Sequence, residues 1–162
     1  MDIRLTAQLV ISEHQAILAY STRIKPRGPN GESHSATILA TSDAGQTWSL
    51  IPLQRTFFDR LSFVGFPTWP PEAIMEMSVD SAGLQFEFRD EWVPFAKGGE
   101  CLWRATQRPN GKRVTSRIRD MDYEVADTPG TMPGISLKLP TEMAPPSKDV
   151  LERLVHQNAE TA

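Results

Sequence analysis

The most constraining feature of the sequence is the segment Leu84 to Val93, in which apolar and polar residues alternate. Successive side chains of a β-strand point to opposite faces, so this pattern predicts a strand that is buried on one side. The predicted buried face carries Leu84, Phe86, Phe88 and Trp92. The predicted solvated face carries Gln85, Glu87, Arg89 and Glu91.

Turn signals separate several further short strands. Residues 38–41 and 48–51 flank the turn at 42–46, and Leu102–Thr106 and Arg113–Arg119 flank Asn110-Gly111, a dipeptide typical of tight hairpins. With Ala16–Ile24, about seven strands are expected. The predicted fold is therefore mostly β (α+β at most), an antiparallel sheet or meander.

The clearest helical signal lies at the C-terminal end. Pro145-Pro146 stops the preceding segment, Ser147 is a suitable N-cap, and the apolar residues that follow recur at helical spacing. We expect a single β-rich domain at 1–146, with a proline-rich strap at 127–146, and a short helix and tail at 147–162. A length of 162 residues suits one domain.

Charge and cysteine content narrow the classes of function. Twenty acids and seventeen bases leave a net charge of −3, which argues against a dedicated nucleic-acid binder. Cys101 is the only cysteine, which excludes a disulfide framework, and we expect its side chain to be buried. The N-terminal apolar run is interrupted early, and no stretch has the ~18–20 apolar residues of a membrane span. A cytoplasmic location is expected, without a membrane partner.

The segment from Thr41 to Trp48, TSDAGQTW, resembles the Asp-box hairpin of sialidases and other β-propeller proteins. Asp43 suits an acceptor of turn N–H groups, Gly45 suits a positive φ, and Trp48 suits an inward aromatic plug. In the proteins it resembles, the box is a folding device remote from the active site. We therefore expect Asp43, Gly45 and Trp48 to be structural.

The sequence contains no recognisable catalytic motif, so we expect that the protein is not an enzyme. Phosphate-binding loops, nucleophile elbows and metalloprotease motifs are missing from the sequence. A small hydrolase that uses Asp43 or the carboxylates of Asp120–Glu124 is one alternative. Those carboxylates also allow a metal site or a solvated acidic edge, and we favour the edge. No cofactor, metal or small-molecule substrate is expected.

Charge is segregated along the chain. Arg104 to Arg119 contains six cations and no acid, and Asp120 to Asp127 contains four acids and no base. A two-residue turn at Asn110-Gly111 would set Arg108 opposite Arg113 and Arg104 opposite Arg117. Such opposed like charges need a counter-charge. Glu87 or Glu91 on the preceding strand is the internal candidate, and an acidic partner or a nucleic acid is the external one.

Aromatic and proline residues cluster between Phe57 and Glu72. The prolines Pro70 and Pro71 block regular strand pairing, so we expect Trp69 to lie in a loop or at a strand edge. Most of these aromatic residues suit the core. A partly exposed Trp69 would also suit an interface anchor.

In size, β-rich layout and the segments FPTWPPE, FRDEWVPF and GGECLWRAT, the chain resembles bacterial toxin-immunity proteins. The resemblance implies a cytoplasmic, non-catalytic antidote of a secreted or type VI-delivered toxin. Such a protein binds its cognate toxin and blocks its active site or assembly. An acidic antidote suits a basic nuclease. A nucleic-acid-binding domain that uses Arg104–Arg119 is the other alternative. The candidate partner-binding residues are Trp69, Asp120, Asp122, Glu124 and Asp127.

Overall fold

A computed structural model describes six stretches of the chain, residues 2–24, 33–53, 69–92, 99–109, 112–120 and 135–161. Within them, eight β-strands form two antiparallel four-stranded sheets, and one helix follows. The prediction of a mostly β fold is confirmed. None of the described helical residues forms a segment that is both long and apolar enough to cross a membrane.

The first sheet is a meander in which each strand pairs with the next along the chain. Its order is β1 (Asp2–Val10), β2 (Ala16–Ile24), β3 (Ser33–Thr41) and β4 (Ser49–Ile51). The β3–β4 hairpin encloses the predicted Asp-box turn. The pairing of β1 with β2 is irregular between Leu5 and Ala7, where the register shifts.

The second sheet is also a meander. Its order is β5 (Glu76–Asp80), β6 (Gly83–Trp92), β7 (Gly99–Gln107) and β8 (Arg113–Asp120). The strand β6 contains the alternating segment from Leu84 to Trp92, and it pairs along most of its length with β7. Across the sandwich, β1 contacts β5.

A hydrophobic core fills the space between the two sheets. Because β6 and β7 alternate, Phe86 and Phe88 point into this core beside Trp103 and Ala105, and all four are at most 3% exposed. The first sheet contributes Ala7, Ile17, Ala19, Ala36 and Ile38. The predicted inward face of Leu84–Val93 is thus confirmed for Phe86 and Phe88. Cys101 is buried in the same core, as expected.

The helix α1 (Lys148–Thr161) covers the other face of the first sheet. The Ser147 hydroxyl accepts a hydrogen bond from the backbone N–H of Val150 at 3.3 Å, which confirms the predicted N-cap. Leu154 packs there against Leu18 and Leu39. The first sheet is therefore the middle layer of three, and the second sheet has one face on the core and one facing away from it.

The strap that precedes the helix is held along its described part, residues 135–146. The Gln8 side-chain amide donates to the Ser136 carbonyl at 3.1 Å and accepts from the Lys138 backbone N–H at 2.9 Å. The Gln8 side-chain amide thus makes the two hydrogen bonds to the strap that a backbone peptide group of an adjacent strand would make. The part of the predicted strap at 127–134 lies outside the described residues.

Candidate protein-binding face

The outer face of the second sheet points away from the inter-sheet core. Its residues occupy the positions that alternate with buried Phe86, Phe88, Trp103 and Ala105. Eight of the described ones are exposed: Glu76, Ser78, Asp80, Arg108, Lys112, Val114, Ser116 and Ile118. We refer to this side of β5–β8 as the outer face.

An ion pair crosses the middle of the outer face. Arg104 on β7 is opposite Glu87 on β6, and their Nη2 and Oε1 atoms are 2.8 Å apart. This pair confirms the prediction that Glu87 or Glu91 neutralises an arginine of the 104–119 segment. The side chains of Glu91 and Arg117 lie outside the described residues.

The outer face also sets like charges directly opposite each other. Glu76 on β5 is the register partner of Glu87. Among the described residues, no cation lies within ion-pair distance of Glu76. Near the β7–β8 loop, Arg108 faces Lys112, since the Arg108 backbone N–H donates to the Lys112 carbonyl at 2.9 Å. Opposed like charges are destabilising in an antiparallel pair. Arg104 already supplies a counter-charge to Glu87, so Glu76 and Arg108 are the two charges that a group from outside would neutralise.

Aliphatic side chains accompany these charges on β8. Val114 is 37% exposed and Ile118 is 38% exposed. Val114 is the register partner of Thr106, which occupies an outer position on β7. Exposed aliphatic groups beside charged ones are the ingredients of a protein interface, in which apolar contact supplies affinity and charge supplies orientation.

The register of the β7–β8 hairpin differs from the predicted one. Gln107 pairs with Arg113 and Arg104 pairs with Ser116, so three residues, 109–111, connect the strands instead of two. The predicted pairings of Arg108 with Arg113 and of Arg104 with Arg117 are therefore wrong. A shift of one residue moves side chains to the other face of a strand, and it turns Arg113 inward.

Trp69 is not a surface anchor. It is 3% exposed and packs edge-on against Phe88, with ring centroids 5.9 Å apart at an interplanar angle of 62°. The guanidinium of Arg113 lies over its ring, 4.0 Å from the centroid. The favoured interpretation, that these aromatic residues fill the core, is confirmed for Trp69. The alternative of a partly exposed, partner-binding Trp69 is wrong, because the indole fills the core and the inward Arg113 covers it.

The Asp-box turn is closed by its own side chains. The carboxylate of Asp43 accepts hydrogen bonds from the Thr41 hydroxyl at 2.8 Å, the Thr47 backbone N–H at 2.9 Å and the Thr47 hydroxyl at 2.5 Å. The Thr47 hydroxyl is the main cause that lowers the pKa of Asp43, followed by the Thr47 N–H and the Thr41 hydroxyl. These partners are all within the box, as expected for a structural Asp43.

The Asp-box also holds the strap. Gly45 has a φ of +84°, and a Cβ added there would lie 2.1 Å from the carbonyl oxygen of Ala144. Buried Trp48 donates from its Nε1 to the same carbonyl at 3.1 Å. Ala44, at a φ of +59°, donates its N–H to the His14 carbonyl at 3.0 Å. These contacts join the turn to the β1–β2 connection and to the strap.

The side chains of the acidic partner-binding candidates lie outside the described part of the structure. The backbone of Asp120 ends β8, and its side chain, like Asp122, Glu124 and Asp127, lies outside the described residues. Among the side chains that are described, no three of His, Cys, Asp or Glu are grouped so as to hold a metal ion. The Ser12 hydroxyl accepts from the His14 and Gln15 backbone N–H groups, which gives it a role in a turn.

The sequence did not predict that Glu76 and Asp80 lie on the outer face, because the strand β5 was not predicted. The segment EMSVD is short, and only Met77 and Val79 alternate with its polar residues. That alternation is the available signal, and it is too brief to distinguish a strand from a loop.

No protein-family model matches this chain, and no curated protein and no solved structure matches it.

Proposed function

We propose that this chain is a non-catalytic protein-binding module, an immunity protein that neutralises a cognate bacterial toxin by covering its active site or its assembly surface. The outer face of the second sheet is the binding surface in this proposal. The supporting observation is the juxtaposition on this face of exposed aliphatic groups with two like-charged pairs, Glu76–Glu87 and Arg108–Lys112.

The charges of the outer face support binding to another protein. A partner that brings a cation near Glu76 and an anion near Arg108 would relieve both repulsions while it covers Val114. Charge patterns of both signs favour a protein surface over a uniformly anionic polymer. Arg104 is already paired with Glu87, and Arg113 covers Trp69, which reduces the positive charge left for nucleic acid.

The scaffold behind the outer face favours occlusion without rearrangement. Phe86 and Phe88 anchor β6 from below, and Trp103 and Ala105 do the same for β7, all with little or no exposure. A face backed by a packed core loses little conformational freedom on binding. Such preorganisation suits an antidote that has to capture its toxin quickly and hold it.

The acidic run at 120–127 remains part of the proposal on sequence grounds. Asp120 is the last residue of β8, and Asp122, Glu124 and Asp127 follow it in the sequence. Their carboxylates would mimic phosphates if the toxin is a nuclease. In that case they would steer association with a basic cleft.

The test begins with the gene next to the one that encodes this chain. Its product is expressed alone and together with the wild-type chain, and growth, copurification and association kinetics are measured. We expect growth arrest that the wild-type chain relieves, with a stable complex. A neighbouring product that arrests growth but neither binds this chain nor is neutralised by it would overturn the proposal.

Matched variants locate the surface. Val114→Asp alters the outer face, and Leu137→Asp makes the same change on the strap, where Leu137 is 42% exposed. We expect Val114→Asp to weaken toxin binding and Leu137→Asp to bind like wild type. Asp122→Lys with Glu124→Lys should slow association if the acidic run steers a basic toxin. Salt-sensitive retention of DNA by the chain alone would favour the nucleic-acid alternative.

A further inference from the structure

We propose that two copies of this chain pack outer face to outer face, about a two-fold axis that runs along the strands. This inference goes beyond the proposed function and does not rest on it. Because both use the outer face, a toxin bound there would replace the second copy. It follows from the order of charges across the second sheet, which the strand register specifies.

The register arranges the outer positions from Glu76 to Lys112 into three rows that cross the sheet from β5 to β8. Half-buried Arg89 on β6 lies beyond the first of these rows, opposite Leu102 on β7. The first row reads Glu76, Glu87, Arg104, Ser116. The second reads Ser78, Gln85, Thr106, Val114. The third reads Asp80, Gly83, Arg108, Lys112, where Gly83 lies beside Arg108 next to the Leu84–Gln107 pair. Within these three rows, acids therefore occupy the β5–β6 half and cations occupy the β7–β8 half. Reversal of the row that contains Arg89 places Arg89 over Leu102 of the second copy, which carries no charge.

A two-fold axis along the strands reverses each row and lays it over itself. In the first row, Glu87 of one copy then lies over Arg104 of the second copy, and the reverse contact forms as well. In the third row, Asp80 lies over Lys112 of the second copy. Every contact occurs twice, as an isologous interface requires. The uncharged second row lies between the two charged rows and places Val114 over Ser78.

The other symmetric arrangement of the same two faces lacks this match. A two-fold axis across the strands would keep each strand over its own copy and exchange the first row with the third. Glu76 would then meet Asp80 of the second copy, and Arg104 would meet Arg108. Like charges brought together at an interface oppose association. The charge order therefore selects one symmetric arrangement, and that arrangement closes as a dimer without forming a filament.

The size of the face indicates a weak and salt-sensitive dimer. Four strands about 4.8 Å apart, over about six residues of about 3.4 Å rise, cover roughly 400 Å² on each copy. Stable interfaces bury about 800 Å² on each partner. We therefore expect association at high protein concentration and low salt, where charge attraction is least screened.

Sedimentation equilibrium of the full chain tests this directly. At about 20 mM salt we expect a monomer–dimer equilibrium, and at about 500 mM salt we expect monomer, because the Debye length falls from roughly 20 Å to about 4 Å. A chain that remains monomeric at low salt up to millimolar concentration would overturn the dimer. That result would leave the toxin-binding test unaffected.

Complementary charge reversals test the geometry. Lys112→Glu places a second carboxylate over Asp80 of the other copy, and Asp80→Lys places two cations together, so each variant alone should dimerise about tenfold more weakly or worse. Mixing the two variants places opposite charges together again, and native mass spectrometry should then show the heterodimer. Lys148→Glu makes the same charge change on the helix, where the side chain is exposed, and should dimerise like wild type.

Folding of each variant is checked by its thermal unfolding curve. Asp80 also accepts a hydrogen bond from the Ala82 backbone N–H at 2.8 Å, so Asp80→Lys weakens a turn. If Asp80→Lys does not fold, Lys112→Glu against Lys148→Glu still decides the question. Equal dimerisation of these two variants, or failure of folded complementary variants to form the heterodimer, would refute the proposed arrangement.

Discussion

The guanidinium carbon of Arg113 lies 4.0 Å from the centroid of the Trp69 ring, and it covers a side chain that is only 3% exposed. This contact joins the β7–β8 hairpin to the segment that precedes β5. Cation–π contacts contribute about 0.5–2 kcal/mol, more when the cation is desolvated. Arg113, the first residue of β8, therefore contacts the segment that precedes β5, which is the first strand of the same sheet in chain order.

Arg113→Met keeps most of the aliphatic volume and removes the cation. We expect the free energy of unfolding to fall by about 0.5–2 kcal/mol, as measured by urea denaturation. Arg108→Met is the control, because Arg108 is an exposed arginine in the same hairpin. If both variants lose the same stability, Arg113 contributes nothing through Trp69.

Gly45→Ala should be strongly destabilising. The added Cβ would meet the Ala144 carbonyl oxygen at 2.1 Å, and alanine at a φ of +84° is strained even without that contact. We expect a loss of about 1–3 kcal/mol or more in thermal or chemical unfolding. Ser42→Ala changes an exposed side chain of the same turn and should be close to neutral. A Gly45→Ala protein as stable as wild type would show that the box does not clamp the strap.

The stabilisation provided by Asp43 should depend on pH in the acid range. Hydrogen bonds from Thr47 and Thr41 lower its folded pKa below the ordinary value of 3.8. An acid with a depressed folded pKa stabilises the fold above its unfolded pKa and loses that effect as the pH falls through the folded value. Wild type should therefore be more stable than Asp43→Asn at neutral pH. The difference should shrink below about pH 4. A difference independent of pH would contradict the assignment.

Tyr20 should make the fold sensitive to alkali. Burial raises the pKa of Tyr20 from 10.0 to about 12, because the phenolate is poorly solvated in the cluster beneath α1. Its neutral form is compatible with the fold below about pH 10, and stability is lost as the pH rises from about 10 through about 12. Tyr20→Phe should lose less stability over this interval in unfolding experiments. Equal alkaline losses in Tyr20→Phe and in wild type would contradict the prediction.

Short-range patterns predicted much of this architecture. Ala16–Ile24 forms β2 at the predicted bounds, and Phe86 and Phe88 are buried as their alternation indicated. The Asp-box closes through residues within one turn of each other, so its eight-residue pattern was sufficient. Ser147 caps the helix for the same reason. Each of these features depends on hydrogen bonds or side-chain periodicity over a few neighbouring residues.

Local sequence patterns did not predict the features that depend on residues far apart in the sequence. The strand β1 was not predicted, and β5 was too short to recognise. The burial of Trp69 depends on Phe88 and on Arg113, which are distant in sequence. A register set by a three-residue connection decides that Arg113 faces the core, and no local pattern distinguishes it from the predicted two-residue turn.

The sequence by itself thus determined where most of the strands form, which of their faces are apolar, and how the Asp-box and the helix start are stabilised. Only the tertiary structure decided which strands share a sheet and which of the two sheets the helix covers. It also decided that Glu76 lies opposite Glu87 while Arg104 pairs with that same glutamate. The physical reason is that side-chain alternation and turn hydrogen bonds act between neighbours in sequence. Register, layer order and the arrangement of charge on the outer face depend instead on loop length and on packing between distant residues.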